Sequence, residues 1–446
     1  MGELSEKLID NLELNKTKPS YKRNNNFKIY PFFTRNPERA KFSNGFTPVT
    51  GVLSRNSLGL KLNYNIEDYN IEKIVENVEI NEMDDENEKS KFLKSLFDYS
   101  HLDSFKHPFL LNYKTLSNGE ERKGEIEIGK FVNKFFDLSN NKKWIEFIGD
   151  KTSKNLVEEI LLESINEIDK EEKKNIYKLI NEGLYEERTN DLDFLLSHKD
   201  FALKYLDLFF AFYYFQYIMQ TTLFLDRLNV DNRAQLYKTF FTLESEKLTS
   251  TRETNKSGFN LIKEIRDYTL VNEILLGYIN HLIEDEEIYS FEDIKEMSSF
   301  KKEIINNELK LVLEKYTEVK EKNDWIRESL EENILLFKTW LREDITKETK
   351  SRYYLSIEEI GDLYFLKRRG KLGKVLTLKK DMLILLTAIV VKDEKMIIKE
   401  LFHQFEKRGV FLDRYSKEEI LRLYEKMNIL DKKSDSGEAK YVKPIL

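Results

Sequence analysis

Apolar residues recur three and four positions apart over most of the chain, which predicts a mostly helical protein. From about residue 89 to 347 this pattern is nearly continuous. Leu156, Ile160, Leu161, Ile165 and Ile168 share one helical face, and Leu261, Ile262, Ile265, Tyr268, Val271, Ile274 and Leu275 share another. Residues 303–341 carry a long amphipathic series from Ile304 to Trp340, too irregular for a heptad seam, and this predicts bundle helices. Residues 246–258 (EKLTSTRETNKSG) are polar and predict a loop between two helices, with Arg252 a candidate functional residue.

Residues 208–225 (LFFAFYYFQYIMQTTLFL) carry no formal charge and reach the lower edge of membrane-spanning length. Gln216, Gln220, Thr221 and Thr222 interrupt them, while Lys204, Asp207, Asp226 and Arg227 bracket them. The expectation is a buried central helix over about residues 200–228 and no membrane partner.

Two regions depart from this body. Residues 15–63 hold four of the six prolines, several glycines, and aromatic rings between basic residues. Proline and glycine interrupt helices, so this stretch predicts a small extended or β N-terminal arm, with a hairpin over residues 49–62 turning at Asn56–Gly59. A short helix over residues 4–14 precedes it. The polar, acidic residues 81–88 predict a linker.

The C-terminal region is the second of these. Residues 378–392 form an apolar helix pattern, and residues 395–408 a second, amphipathic one that Gly409 closes. Ser416 followed by Glu419 has the spacing of a capping box, so a third helix is expected from there to about Asn428. Ile420, Leu421, Leu423, Tyr424 and Met427 are its expected inward face. A turn-forming cluster at residues 432–437 and a strand over residues 439–443 complete three helices and a hairpin, the winged-helix plan. The domains are therefore residues 1–63, a helical body over residues 64–347, and a winged-helix-like module with a basic approach over residues 348–446.

Composition and charge sharpen this picture. The chain has 446 residues, 40% of them hydrophobic, enough for sizeable cores. It has no cysteine, which excludes disulfides and thiolate chemistry and fits a reducing, cytoplasmic setting. No basic stretch followed by an apolar run opens the chain, so no signal peptide is expected. Heavy use of Asn, Lys and Ile suits an AT-rich bacterial genome. The formal net charge of −7 is unevenly spread: residues 15–63 have ten Lys and Arg against the single acid Glu38, and residues 361–446 are also net basic. The acidic middle lies between basic ends, which points the ends towards phosphates, or else towards acidic protein surfaces.

The candidate nucleic-acid contacts are Lys367, Arg368, Arg369, Lys371 and Lys374 in the approach, Arg414, Lys417 and Arg422 on the third helix, and Lys432, Lys433 and Lys440 in or near the wing. The third helix balances its bases with Glu418, Glu419 and Glu425, so protein docking stays open beside DNA contact.

Residues 408–416 (RGVFLDRYS) and 430–443 (LDKKSDSGEAKYVK), with Lys28-Ile29-Tyr30-Pro31-Phe32 near the start, resemble DptG, the G component of phosphorothioation-dependent DNA restriction systems. The matching motifs cover mainly the last forty or so residues. The resemblance implies a subunit that acts on double-stranded DNA beside a P-loop ATPase subunit and a helicase-like subunit, in anti-phage defence against DNA without the sulfur mark. It carries over no catalytic residue.

Other chemistry finds weak footing. Gly370-Lys371-Leu372-Gly373-Lys374 lacks the spacing and the Ser or Thr of a phosphate loop. His101 and His107, with Asp98 and Asp103, are spaced loosely for a metal, and Glu125, Glu127 and Lys130, or Glu318 and Lys320, are fragments of a nuclease pattern at most. The expectation is a protein without a metal, a cofactor or catalytic residues. The expected role is that of a non-catalytic subunit of such a restriction complex, contributing DNA contact and subunit assembly. The alternative is a standalone winged-helix transcriptional regulator or adaptor.

Overall fold

The computed structural model describes residues 2–16, 19–23, 28–31, 36–61, 85, 87–89, 91, 106–154, 158–159, 162, 169–170, 176–226, 234–283, 285, 287–352, 354–432 and 440–446. The chain is mostly helical, with small sheets. It divides into two compact units that are discontinuous in sequence. One holds residues 1–40, 176–187 and 214–445, and the other holds residues 41–175, 188–213 and 446.

In the second unit, the expected hairpin at residues 49–62 is an α-helix, Thr47–Ser57, followed by the two-residue strand β1, Leu60–Lys61. Pro48 sits in the first turn, where its missing amide costs nothing. Nearly every residue of this helix is buried, including Arg55, whose guanidinium donates to the carbonyls of Asn112 and Lys114. A helix buried all round has no amphipathic stripe, so its sequence shows no helical period. Two glycines of this unit serve close packing. A Cβ on Gly129, in the helix Glu121–Phe136, would fall 2.3 Å from Val52, and one on Gly51 would fall 2.7 Å from Lys114. Strand β1 pairs antiparallel with β2, Asp169–Lys170. Most of the linker expected at residues 81–88, and most of the helix expected from Leu156, lie outside the described residues.

The expected central helix is Lys199–Asp226, buried without interruption from Phe209 to Leu225. Within the second unit its first half meets Phe136 through Phe209, Phe210 and Tyr213, with edge-on rings for the last two. Asp207 accepts hydrogen bonds from the hydroxyls of Thr47 and Thr50. Tyr213 donates to the buried carboxylate of Asp191 at 2.5 Å. Among the described residues, no helix is long and apolar enough to cross a membrane.

In the first unit the N-terminal segment is not a free arm. The helix Glu3–Asn11 is held by Glu308, which accepts from the amides of Gly2 and Ser5. Ile29 and Tyr30 are fully buried, and Glu273 takes both their amides and the guanidinium of Arg23. Phe27, Phe32, Phe33 and Arg35 lie outside the described residues. Behind this, the helices Phe259–Ile265, Thr269–His281, Ser299–Lys320 and Leu330–Asp344 form the expected bundle.

The same unit contains a sheet that helical periodicity hid. Strand β3, Phe240–Leu243, lies parallel to both β5, Lys374–Leu378, and β7, Phe411–Leu412. Strand β4, Leu366–Arg368, pairs antiparallel with β5, giving the order β4-β5-β3-β7. Strand β3 has only four residues, three of them buried, too few to display an alternating pattern. The polar connection after it therefore joins a strand, not a helix, to the helix Phe259–Ile265, and it contains the short helix Glu253–Lys256.

At the C-terminus the elements run helix Lys380–Val391, strand β6 (Met396–Ile397), helix Ile398–Glu406, β7, helix Arg414–Lys426, strand β8 (Leu430–Lys432) and strand β9 (Lys440–Val442). Strand β9 is central in a second sheet of order β6-β9-β8, antiparallel throughout. Gly409, at φ +76°, ends the second helix, and the amide of Val410 reaches back to the carbonyl of Phe405, as the expected C-terminal cap requires. On the last helix Ile420 and Tyr424 are the buried pair, and Leu421, Leu423 and Met427 are only half-buried.

Candidate nucleic-acid interface

The five basic residues of the approach segment fall on one β-hairpin. Strands β4 and β5 pair with Arg368 opposite Lys374, and Gly370 and Gly373 turn the chain between them with φ of +54° and +75°. Only glycine adopts such angles without strain, which is why the run Gly370-Lys371-Leu372-Gly373-Lys374 makes a tight turn. Burial fixes which side chains face out. Leu366, Val375, Leu376 and Leu378 are in the core, while Arg368 and Lys371 are exposed.

The hairpin charges are not equivalent. Lys374 pairs with Asp362 at 2.6 Å. Arg369 donates to the carbonyls of Leu243 and Glu244, both at 2.9 Å, and Lys367 reaches Glu244. Arg369 and Lys367 thus fasten the hairpin to the end of β3, and Lys374 ties it to the preceding helix, Leu355–Tyr364. Arg368 and Lys371 have no carboxylate partner among the described residues.

Immediately beyond Glu244 lies a second cluster, built around Arg252. Its guanidinium grips Asp413 through two hydrogen bonds, at 2.8 and 2.6 Å, approaches Glu246 at 2.6 Å, and donates to the Ser416 hydroxyl. The Arg252 side chain is only 8% exposed. Burial by itself disfavours the charged guanidinium, but Asp413 and Glu246 more than offset this, so its pKa is raised. Burial likewise opposes ionisation of Asp413, yet the Arg252 guanidinium and the Ser416 amide hold its carboxyl below the usual range.

Asp413 is also the N-cap of the helix Arg414–Lys426, accepting from the Ser416 amide at 2.9 Å. The expected cap, Ser416, is therefore inside the helix. Its buried hydroxyl accepts from Arg252 and shares its single proton between the Phe241 carbonyl and the Glu246 carboxylate, so it forms no capping box, and Glu419 accepts from Ser245 instead. The helix starts three residues early because a carboxylate at position 413 serves the helix amide and Arg252 together.

The remaining predicted contacts on this helix are neutralised locally. Arg414 pairs with Glu418 at 2.9 Å, Arg422 with Glu419 at 3.3 Å, and Lys417 with Glu406 at 3.5 Å. A cavity of about 860 Å³ opens between the helix and the connection after β3, and its walls carry both signs of charge. Tyr415 is 62% exposed beside it, with the Arg252 guanidinium 5.1 Å from its ring centre. In the wing, Lys432 and Lys440 are paired in register across β8 and β9, while Lys433 lies outside the described residues.

Hairpin and helix thus share one support, the segment from Leu243 to Glu246. Sequence reasoning noticed Arg252 as a loop residue but missed Glu246 and Asp413. The usable signal was a lone arginine in a polar loop with an acid six positions earlier.

The other chemical candidates have structural employment. His107 caps the 3₁₀ helix Pro108–Tyr113, with Nδ1 accepting from the Phe109 amide and Nε2 3.1 Å from the Thr152 carbonyl. His101, Asp98 and Asp103 lie outside the described residues. Glu125 is buried and accepts from the Ser117 amide, with its carboxyl raised by burial. Glu127 pairs with Lys130, and Glu318 with Lys315. Among the described residues no group of three or more His, Asp or Glu converges as a metal site would.

No family model and no curated protein matches this chain. The functional reading therefore rests on the residues themselves.

Proposed function

We propose that this chain is a non-catalytic, DNA-contacting subunit of a phosphorothioation-dependent restriction complex. In this reading the basic hairpin of β4 and β5 is the main contact to the phosphate backbone. The C-terminal helices and the β6-β9-β8 sheet act as a winged-helix module beside it. The observation that carries the reading is the pair Arg368 and Lys371, exposed on the hairpin with no carboxylate partner among the described residues. Three further basic residues brace the hairpin. Phosphate contacts of this kind position a protein on DNA without reading its sequence. The element order of the last sixty or so residues supports the winged-helix assignment. The likeness of residues 408–416 and 430–443 to DptG supplies the restriction context, with an ATPase subunit and a helicase-like subunit as partners.

A standalone regulator reading operator DNA is less well supported. That role needs the helix Arg414–Lys426 to present its N-terminal half to a major groove. Here that half is tied to Arg252, and the helix's arginines face their own glutamates.

The test is duplex-DNA binding by the purified full chain across a salt series. If about five phosphates are covered, log affinity falls with log salt at a slope of roughly −4 to −5. Charge reversal of Arg368 and Lys371 together should weaken binding at least tenfold for every sequence tried and flatten the slope by about 2. Melting temperature should stay put, since both side chains are exposed. Unchanged affinity and slope in the double variant would remove the hairpin from the interface.

A further inference from the structure

The cleft of about 860 Å³ between the helix Arg414–Lys426 and the connection after β3 begins where the basic hairpin is fastened. Lys367 and Arg369 of the hairpin rest on the Glu244 carbonyl, and Ser245, Glu246 and Lys247 continue from there along the cleft wall. The walls are polar but largely self-paired. Arg414 is held by Glu418, Arg422 by Glu419, and Arg252 by Glu246 and Asp413. Two exposed wall charges of opposite sign, Lys247 and Glu253, have no ion-pair partner among the described residues. The hydroxyls of Thr249 and Thr251 lie 3.1 Å apart on the same wall. A cleft whose charges nearly cancel among themselves is complementary to a neutral, polar guest, because an ion would have to break those pairs.

Tyr415 gives that guest its shape. Its side chain lines the cleft and is 62% exposed, with the Arg252 guanidinium over one face, 5.1 Å from the ring centre. With one face backed by Arg252, the exposed area includes the opposite face. Arg252 also donates to the Lys247 carbonyl at 3.4 Å, so one buried guanidinium positions both the aromatic ring and the free cation. A flat ring with an open face stacks a flat heteroaromatic guest, and a free cation nearby takes a phosphate. Single-stranded nucleic acid is held by this combination of features. A nucleobase is neutral, planar and edged with hydrogen-bonding groups, as the self-paired walls and the threonine hydroxyls require.

We propose that this cleft takes an unpaired nucleotide of a DNA strand, with its base stacked on the open face of Tyr415 and its phosphate against Lys247. Neighbouring phosphates of the strand run towards Arg368 and Lys371. The proposal rests on the reading of the hairpin as a phosphate contact and extends it from duplex to DNA with single-stranded stretches. A duplex keeps its bases stacked inside and leaves the cleft empty. Arg414 and Arg422 keep their glutamates and take no part.

The test compares binding of the full chain to oligothymidylate, to an abasic sugar–phosphate strand of the same length, and to a duplex, all at one salt concentration. The wild type should prefer oligothymidylate to the abasic strand by about tenfold, since the two differ only in their bases. Tyr415→Ala should abolish that preference and leave duplex affinity within about twofold, while Tyr415→Trp should keep the preference. Lys247→Glu should weaken both single strands alike, because it acts on phosphate. Both side chains are exposed, and an unchanged melting temperature certifies the fold. Equal wild-type affinity for the two single strands would overturn the cleft proposal, and so would a preference that survives Tyr415→Ala. A loss in Tyr415→Ala that is as large on the duplex as on oligothymidylate would also overturn it. None of these results touches the hairpin reading, which is decided on the duplex by Arg368 and Lys371. If no probe binds, the hairpin reading fails and the cleft proposal fails with it.

Discussion

The hairpin at residues 366–378 and the helix Arg414–Lys426 are both rich in arginine and lysine, both rest on the end of β3, and yet they use charge in opposite ways. At the hairpin, Arg368 and Lys371 face outward with no acid paired to them among the described residues. At the helix, Arg414, Lys417 and Arg422 each hold a carboxylate of their own module. The buried guanidinium between the two regions, Arg252, is spent entirely inside the protein. The difference teaches that a basic count says little about where phosphates bind. What matters is which cations are left without an internal partner, and sequence spacing does not reveal that.

The most severe way to break this contrast is Arg252→Met. The substitution keeps most of the side-chain volume and leaves Glu246 and Asp413 as buried carboxylates facing each other without a cation. Removing one partner of a buried ionic cluster costs about 3–5 kcal/mol. Chemical denaturation should therefore show a large fall in midpoint, with the connection after β3 and the start of the helix Arg414–Lys426 losing amide protection first. Stability within experimental error of the wild type would mean that Arg252 decorates the connection and does not hold it.

How far the sequence revealed this arrangement depended on the kind of signal each segment carries. The helices 299–320, 330–344 and 380–391 and the glycine stop at Gly409 were legible, because each has enough residues to show a period or a cap, and the last wing strand was legible from the turn-forming cluster before it. The helix Thr47–Ser57 was read as a hairpin because burial on all sides erased its period, and because the expected turn at Asn56–Gly59 marks the end of the helix, where Gly59 has φ +64°. The β4-β5-β3-β7 sheet was hidden for another reason. Its strands come from three distant stretches, and the parallel pairing of β3 with β5 and β7 has no local signature. The hairpin's basic residues were visible as a run, but their division into braces and free cations was not. The N-cap was misplaced from Asp413 to Ser416 because Ser416 also satisfied the local rule, and only Arg252, 161 residues away from Asp413, decides between them.

Acid sharpens the comparison next. The Asp413 carboxyl is depressed in the folded chain relative to its unfolded value of about 3.9. A carboxylate with a lowered folded pKa contributes stability that is fully present above about pH 4 and is lost as pH falls through the folded value. The wild type should therefore lose stability below about pH 4 more steeply than Asp413→Asn, which keeps a capping oxygen but has no carboxylate to protonate. The variant should be the weaker protein at pH 7, and the two curves should converge in acid. Parallel curves from pH 6 to pH 3 would show that this carboxylate is not linked to folding. Arg368 and Lys371 hold no carboxylate in this way, so their charge reversal should leave the acid limb where it is.

The smallest expected effect is the most discriminating. Arg414→Ala with Arg422→Ala removes two of the three basic contacts that the sequence assigned to the helix. Arg414 is 87% exposed and pairs with Glu418 one turn away, and Arg422 is 68% exposed and pairs with Glu419. Exposed pairs of this spacing contribute about 0.3–0.5 kcal/mol each at most, so melting should barely move. If the hairpin is the phosphate contact, DNA affinity should fall less than about threefold, because cations already satisfied by neighbouring carboxylates release few counterions on binding. Placed beside the double reversal of Arg368 and Lys371 at one salt concentration, the two variants rank the regions directly. Should the helix variant lose more affinity than the hairpin variant, the helix face is the DNA surface. Arg414 and Arg422 would then have to exchange their glutamates for phosphates on binding, and the hairpin would fall to the protein-docking role.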